Sequence, residues 1–135
     1  MSKFAENLVR DLWDGLHCKC EETANPSICE VVEAIDALDA DQRTMITLFG
    51  PNGEHLVVGG GNGQYVCFIS TSDDELWNLK DEHAVCENPV LLNVGGQQGD
   101  YLPKNVVDRD MIVQAATEFF DGGRRANSLG WERQN

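Results

Sequence analysis

The residues best suited to chemistry are thiols and imidazoles. His17-Cys18-Lys19-Cys20, with Cys29 downstream and a later His83-x-x-Cys86 pair, offers ligand types for zinc or thiols for redox exchange. Structural zinc sites, however, usually present paired C-x-x-C or similar spacings, and neither thiol group has one. Free, partly buried thiols are the plainer reading, and no metal or cofactor is assigned. A metal-binding or redox domain built on Cys18, Cys20 and Cys29 stands as the alternative.

The glycine run Gly59-Gly60-Gly61-Asn62-Gly63 is the other chemical candidate, because glycines can cradle phosphates. A dinucleotide fingerprint needs a third glycine three residues after the second, and those positions are Gln64 and Val66. The run also separates two apolar, β-branched segments instead of opening a helix, so no helix N-terminus faces an anion. A hairpin turn with positive φ accounts for it. His17, His55 and His83 sit in different segments with no hydrolase, metalloprotease or zinc-deaminase pattern around them. The acid pair Asp73-Asp74 lacks the twelve-residue cation loop of an EF-hand. The expectation is a protein that is not an enzyme.

The elements around these residues follow from periodicity. Phe4, Leu8, Leu12 and Trp13 recur at helical spacing, which predicts an amphipathic helix ending near Gly15, then a polar loop from Cys18 to Pro26. Ser27 followed by Glu30 is a capping box for a helix with Ile28, Val31, Val32, Ile35 and Leu38 on its apolar stripe. Residues 44–49, 55–58 and 65–69 predict three strands of an antiparallel meander on short turns. The stretch from Ser72 to Pro89 reads as irregular. Val90–Val94 predicts a fourth strand ended by a Gly95–Gly99 turn, and Asn105–Val107 a short fifth. Asp108 is the N-cap of a last helix carrying Met111, Ile112, Ala115, Ala116, Phe119 and Phe120, stopped at Gly122-Gly123. The short tail, residues 128–132, is expected to dock back through Trp131. The fold class is therefore α+β: an antiparallel sheet of about five strands, a meander, packed with N-terminal helices and one C-terminal helix.

Charge then limits the partners. The 135 residues carry 10 Lys+Arg against 23 Asp+Glu, a net charge of −13. Such a surface repels nucleic acid and anionic membranes, so a macromolecular partner is expected to be basic. The first residues interleave acids and bases with apolar positions, unlike a signal peptide, and no segment approaches a membrane span. A single domain over 1–135 in the reducing cytoplasm is the expectation, with five cysteines held as thiols. The acids gather in two stretches: Glu21, Glu22, Glu30, Glu33, Asp36, Asp39 and Asp41 in one, and Asp73, Asp74, Glu75, Asp81, Glu82 and Glu87 in the other. A solvated face and an imitation of nucleic-acid phosphates explain this equally well.

One set of segments resembles a known family. GGGNGQYVCFIS, Trp77, ENPVLLNVGGQQGDY with VVD after it, AATEFF and the closing SLGWE occur in the order seen in Imm family one. These are bacterial immunity proteins encoded beside polymorphic toxins. The resemblance spans about residues 44–132 and leaves the HCKC run outside it. It implies an inhibitor that neutralises a cognate toxin, of the nucleic-acid deaminase or nuclease class, by covering a basic substrate cleft. Immunity proteins hold specificity in variable contact surfaces. The candidate contact residues are therefore loop acids beside aromatics: Asp73, Asp74 and Glu75 with Trp77, and Asp100 with Tyr101. Trp77 suits core packing equally well.

Overall fold

A computed structural model describes residues 4–84 and 88–134. Cys86 and Glu87, invoked above, lie outside the described residues. The chain runs β1 (Asn7–Asp14), β2 (His17–Ala24), α1 (Ile28–Asp36), β3 (Met45–Phe49), β4 (His55–Gly61), β5 (Gln64–Ser70) and β6 (Leu76–Lys80). It continues with β7 (Val90–Val94), β8 (Gln97–Tyr101), a 3₁₀ turn at Pro103–Asn105, α2 (Arg109–Gly122) and β9 (Gly130–Arg133). Seven strands form one antiparallel sheet in the order β2-β1-β3-β4-β5-β6-β9, while β7 and β8 pair only with each other.

The meander and both long helices stand where the pattern predicted them. β3, β4 and β5 place Ile46, Leu48, Leu56, Val58, Tyr65, Cys67 and Ile69 on one face, where they join Val31 and Ile35 of α1 and Ile112, Ala115 and Phe119 of α2 in a buried core. The α1 capping box is complete: the Glu30 amide donates to Ser27 Oγ at 3.1 Å, and the Ser27 amide to Glu30 Oε1 at 2.9 Å. Asp108 caps α2 by accepting from the Met111 amide, and Gly123 ends it at φ 69°, where a side chain would meet the ring of Phe4. The glycine run is a hairpin. Asn62 and Gly63 have φ of 56° and 86°, the two positive angles that a tight type I′ turn requires.

Other expectations are corrected. Residues 4–15 form no helix; with the predicted loop from Cys18, residues 7–14 make the β1–β2 hairpin, paired from Asn7↔Ala24 to Asp14↔His17. Leu8 and Leu12, four apart, lie on one face of a strand as readily as on one side of a helix, so their spacing could not decide. The buried polar residue between them decides: Asp11 is 5 % exposed and satisfied by strand β3. Among the described residues one helix, α1, precedes the meander. The irregular stretch contains β6, which is joined by the tail as β9; Leu79 opposite Trp131 closes the core at that side. The turn after Val94 is only Gly95-Gly96, and Gln97–Tyr101 returns as β8, a strand too polar to announce itself by alternation. Near residue 105 there is a 3₁₀ turn and one bridge, Val107 to Tyr65, where a strand was predicted.

The second face of the sheet is covered in its middle by the β7–β8 hairpin. A Cβ on Gly59 would lie 2.4 Å from Val94, so the missing side chain lets the hairpin sit directly on β4. Side chains seat it: Gly96 N donates to Thr44 Oγ1 at 3.0 Å, and Asn93 Nδ2 to the Ala40 carbonyl at 3.2 Å. Beneath this seat, Asp11 accepts from the Thr44 amide at 2.8 Å, the Met45 amide at 3.0 Å, Trp13 Nε1 at 2.8 Å and the Thr44 hydroxyl. One carboxylate thus joins β1, β3 and, through Thr44, the β7–β8 turn.

Candidate partner-binding surface

The turn between β5 and β6 carries the first candidate group. Thr71 Oγ1 accepts from the amides of Asp73 at 3.3 Å and Glu75 at 3.2 Å, and the Asp74 amide donates to the Thr71 carbonyl. These local bonds hold Asp74 in the left-handed region at φ 62° and keep Asp73 and Asp74 exposed. Glu75 turns differently. It accepts from Trp77 Nε1 at 3.1 Å and faces Arg133 at 3.7 Å. Trp77 is half-buried on the helix-covered face, paired across from Ile69, and the Arg125 guanidinium lies 3.9 Å from the centre of its ring. The aromatic expected between acids is therefore also held by a cation, Arg125, a contact that stabilises by about 0.5–2 kcal/mol.

Asp100 and Tyr101 lie elsewhere. Successive residues of β8 point to opposite sides. Tyr101, opposite Val90, faces the sheet and lines a groove of about 380 Å³ with Val66, Phe68, Val94 and Leu102. Lys104 and Glu132, 3.2 Å apart, stand at the same groove. Asp100, opposite Leu91, faces solvent. This groove is on the face opposite Trp77, so the structure separates the two candidate groups instead of joining them in one patch.

Many acids of the first stretch have structural partners. Asp36 takes Arg109 in a two-bonded pair at 2.6 and 3.1 Å, which holds its carboxyl below the usual range. Glu21 is lowered likewise by the hydrogen bond from Arg43 at 2.5 Å. Asp39 Oδ1 accepts the amides of Arg43, Asp41 and Gln42, and these, led by Arg43, lower it too. Glu22, Glu33 and Asp41 remain exposed. Three large apolar residues outside the candidate set are exposed: Leu16, 96 % exposed at the β1–β2 tip, with Leu91 at 59 % and Leu102 at 51 %. Gly15, which takes φ 62° as the first residue of the two-residue turn Gly15-Leu16, is the sequence signal for that tip.

Among the described residues the thiols do not converge. Cys18 and Cys20 are exposed on the side of β2 shared with Trp13 and Asp11, whereas Cys29 is exposed on α1, which covers the other face. Burial raises the Cys67 thiol well above its ordinary value. Among the described residues no three His, Cys, Asp or Glu side chains gather in a metal-binding group.

Two helices thus cover one face of the antiparallel sheet and a seated hairpin the other. The family model for immunity protein Imm1 matches residues 20–133, and the chain belongs to that family. No curated protein matches it. The family suggests toxin neutralisation by a non-enzymatic inhibitor and implies a cognate toxin as partner. Among the described residues no helix is long and apolar enough to cross a membrane.

Proposed function

We propose that this chain, as one inhibitory domain in the cytoplasm of the producing cell, neutralises a toxin that acts on nucleic acid, of the deaminase class. It does so by covering the toxin's basic substrate cleft with an acidic surface. The observation that carries the reading is the net charge of −13 on a member of an immunity-protein family. Carboxylates placed where a cleft expects phosphates speed encounter and exclude the substrate.

The contact is assigned to the β5–β6 turn: Asp73 and Asp74 at its exposed tip, with Glu75 and Trp77 behind them. Asp100 on the outer side of β8 and Tyr101 in the groove beneath it mark the second candidate region. Because they lie on the opposite side of the sheet, a flat interface uses one group or the other. The test takes the toxin domain encoded by the adjacent gene and measures association with the wild-type chain at rising salt. Association should slow as salt screens the approach, and reversing Asp73, Asp74 and Glu75 to Lys should slow it about tenfold or more. Unchanged association in that variant, with loss of binding in Tyr101→Ala, would move the interface to the groove. Salt-independent association would remove the electrostatic mechanism.

A further inference from the structure

The two edges of the main sheet differ. β9 ends one side with four residues, whereas β2 ends the other with eight, from His17 to Ala24. β2 contains no proline, and six of its eight residues are exposed. Among the described residues nothing pairs with its outer side. A long, open edge strand is a template for another strand.

The register of β1 and β2 fixes which backbone groups are offered. A two-residue turn at Gly15-Leu16 makes Asp14↔His17 a hydrogen-bonded pair, and such pairs alternate along the ladder. Lys19, Glu21 and Thr23 therefore bond inward to β1, and Cys18, Cys20 and Glu22 present their N–H and C=O outward. The Trp13 amide supports this assignment: opposite Cys18, it turns away from β2 and donates to the Gln42 carbonyl at 2.8 Å.

We infer that β2 pairs antiparallel with β2 of a second copy, about a two-fold axis through Cys20, to make one continuous sheet. An axis at Lys19 sets lysine against lysine; at Glu21 or Glu22 it sets acid against acid; at Cys18 it leaves a short overlap into the turn. Only the Cys20 axis places Lys19 opposite Glu21 of the other copy, twice, with Cys18 opposite Glu22 and His17 opposite Thr23. Directly opposed charges of unlike sign stabilise a strand pair, and like charges destabilise it. The outward groups of Cys18, Cys20 and Glu22 then close three backbone bonds per copy. Net repulsion between two chains of −13 acts against the pairing, and physiological salt screens it beyond about 8 Å.

A covalent trap and a charge exchange test the pairing. In a chain with Cys29 and Cys86 changed to Ser, two forms keep either Cys20 or Cys18 on β2. The paired Cys20 residues stand about 5.5 Å apart at Cα, within disulfide reach, whereas the Cys18 pair is offset by about 14 Å along the strand. Dioxygen with a copper–phenanthroline catalyst, which takes two electrons and two protons from each thiol pair, should give covalent dimer at least about tenfold faster from the Cys20 form. Light scattering at 0.15 M salt should show the reduced wild type in monomer–dimer exchange. Lys19→Glu and Glu21→Lys should each be monomeric alone, since each sets like charges across the axis. Their mixture should dimerise, because acid then meets base at both positions. A wild type monomeric up to about 1 mM, equal trapping through Cys18, or a mixture that stays monomeric would overturn the inference.

Discussion

Removing the Asp11 carboxylate should be among the most damaging single changes outside the apolar core. Asp11→Ala strips the acceptor from the Thr44 and Met45 amides and from Trp13 Nε1; the Thr44 hydroxyl can turn elsewhere. A buried donor left without a partner costs about 1–3 kcal/mol, and a water entering the vacated space recovers part of that for three donors. The expected loss is about 3–5 kcal/mol, a large share of a small domain's stability. With a urea slope near 2 kcal/mol/M, the midpoint should fall by about 2 M. Asp11→Asn is the sharper probe because its volume is unchanged. One amide oxygen still serves the two backbone donors, but its NH₂ faces the Trp13 N–H, so about 1–2 kcal/mol should be lost. Amide exchange at Gly96 should quicken in both variants, since its acceptor Thr44 Oγ1 is itself oriented by Asp11. A loss below about 1 kcal/mol in Asp11→Ala, or a neutral Asp11→Asn, would refute the view that this carboxylate ties the three elements together.

Further expectations concern other parts of the fold. Gly96→Ala combines a φ of 79° with a Cβ 2.1 Å from the Trp13 ring, so urea unfolding should show a loss of about 2–4 kcal/mol. Ser27→Ala removes the α1 cap and should cost about 1 kcal/mol in the same assay. Asp36, Glu21 and Asp39 have folded pKa values below their ordinary 3.8, 4.5 and 3.8. The unfolded chain binds their protons first, so their contribution is present at neutral pH and is lost as pH falls below about 4 through the folded values. Urea midpoints measured from pH 6 to pH 3 should therefore fall less steeply in Asp36→Asn than in the wild type.

What could be read in advance follows from where each element's information resides. α1 and α2 carry their own stop and start signals, in Ser27 with Glu30 and in Asp108 with Gly123, and both helices formed as predicted. The β3–β5 meander combines β-branched residues with glycine turns, which is local information too. β1, β2, β8 and β9 take their conformation from partners distant in the chain. Asp11 is buried because Thr44 and Met45 satisfy it, and β9 is a strand because β6 has an open edge. The candidate contacts were chosen as neighbours in sequence. Strand alternation then sent Asp100 and Tyr101 to opposite sides, and Arg125 and Arg133 came from the chain's end to Trp77 and Glu75.

Among the described residues the β7–β8 hairpin shares no backbone ladder with the main sheet. Its sheet-facing half, Val94 against Gly59 and Gly96 against Trp13, is fitted closely, while Leu91, Gln98 and Asp100 on its outer half are exposed. Apart from Asn93, which holds the Ala40 carbonyl, residues on that outer half can be exchanged without shifting the register of β3 to β6, because no rung of that ladder passes through them. A lineage could therefore retune this surface toward a new partner at little folding cost, with substitutions accumulating there faster than on the seated half. The hairpin separates the freedom to change from the obligation to fold.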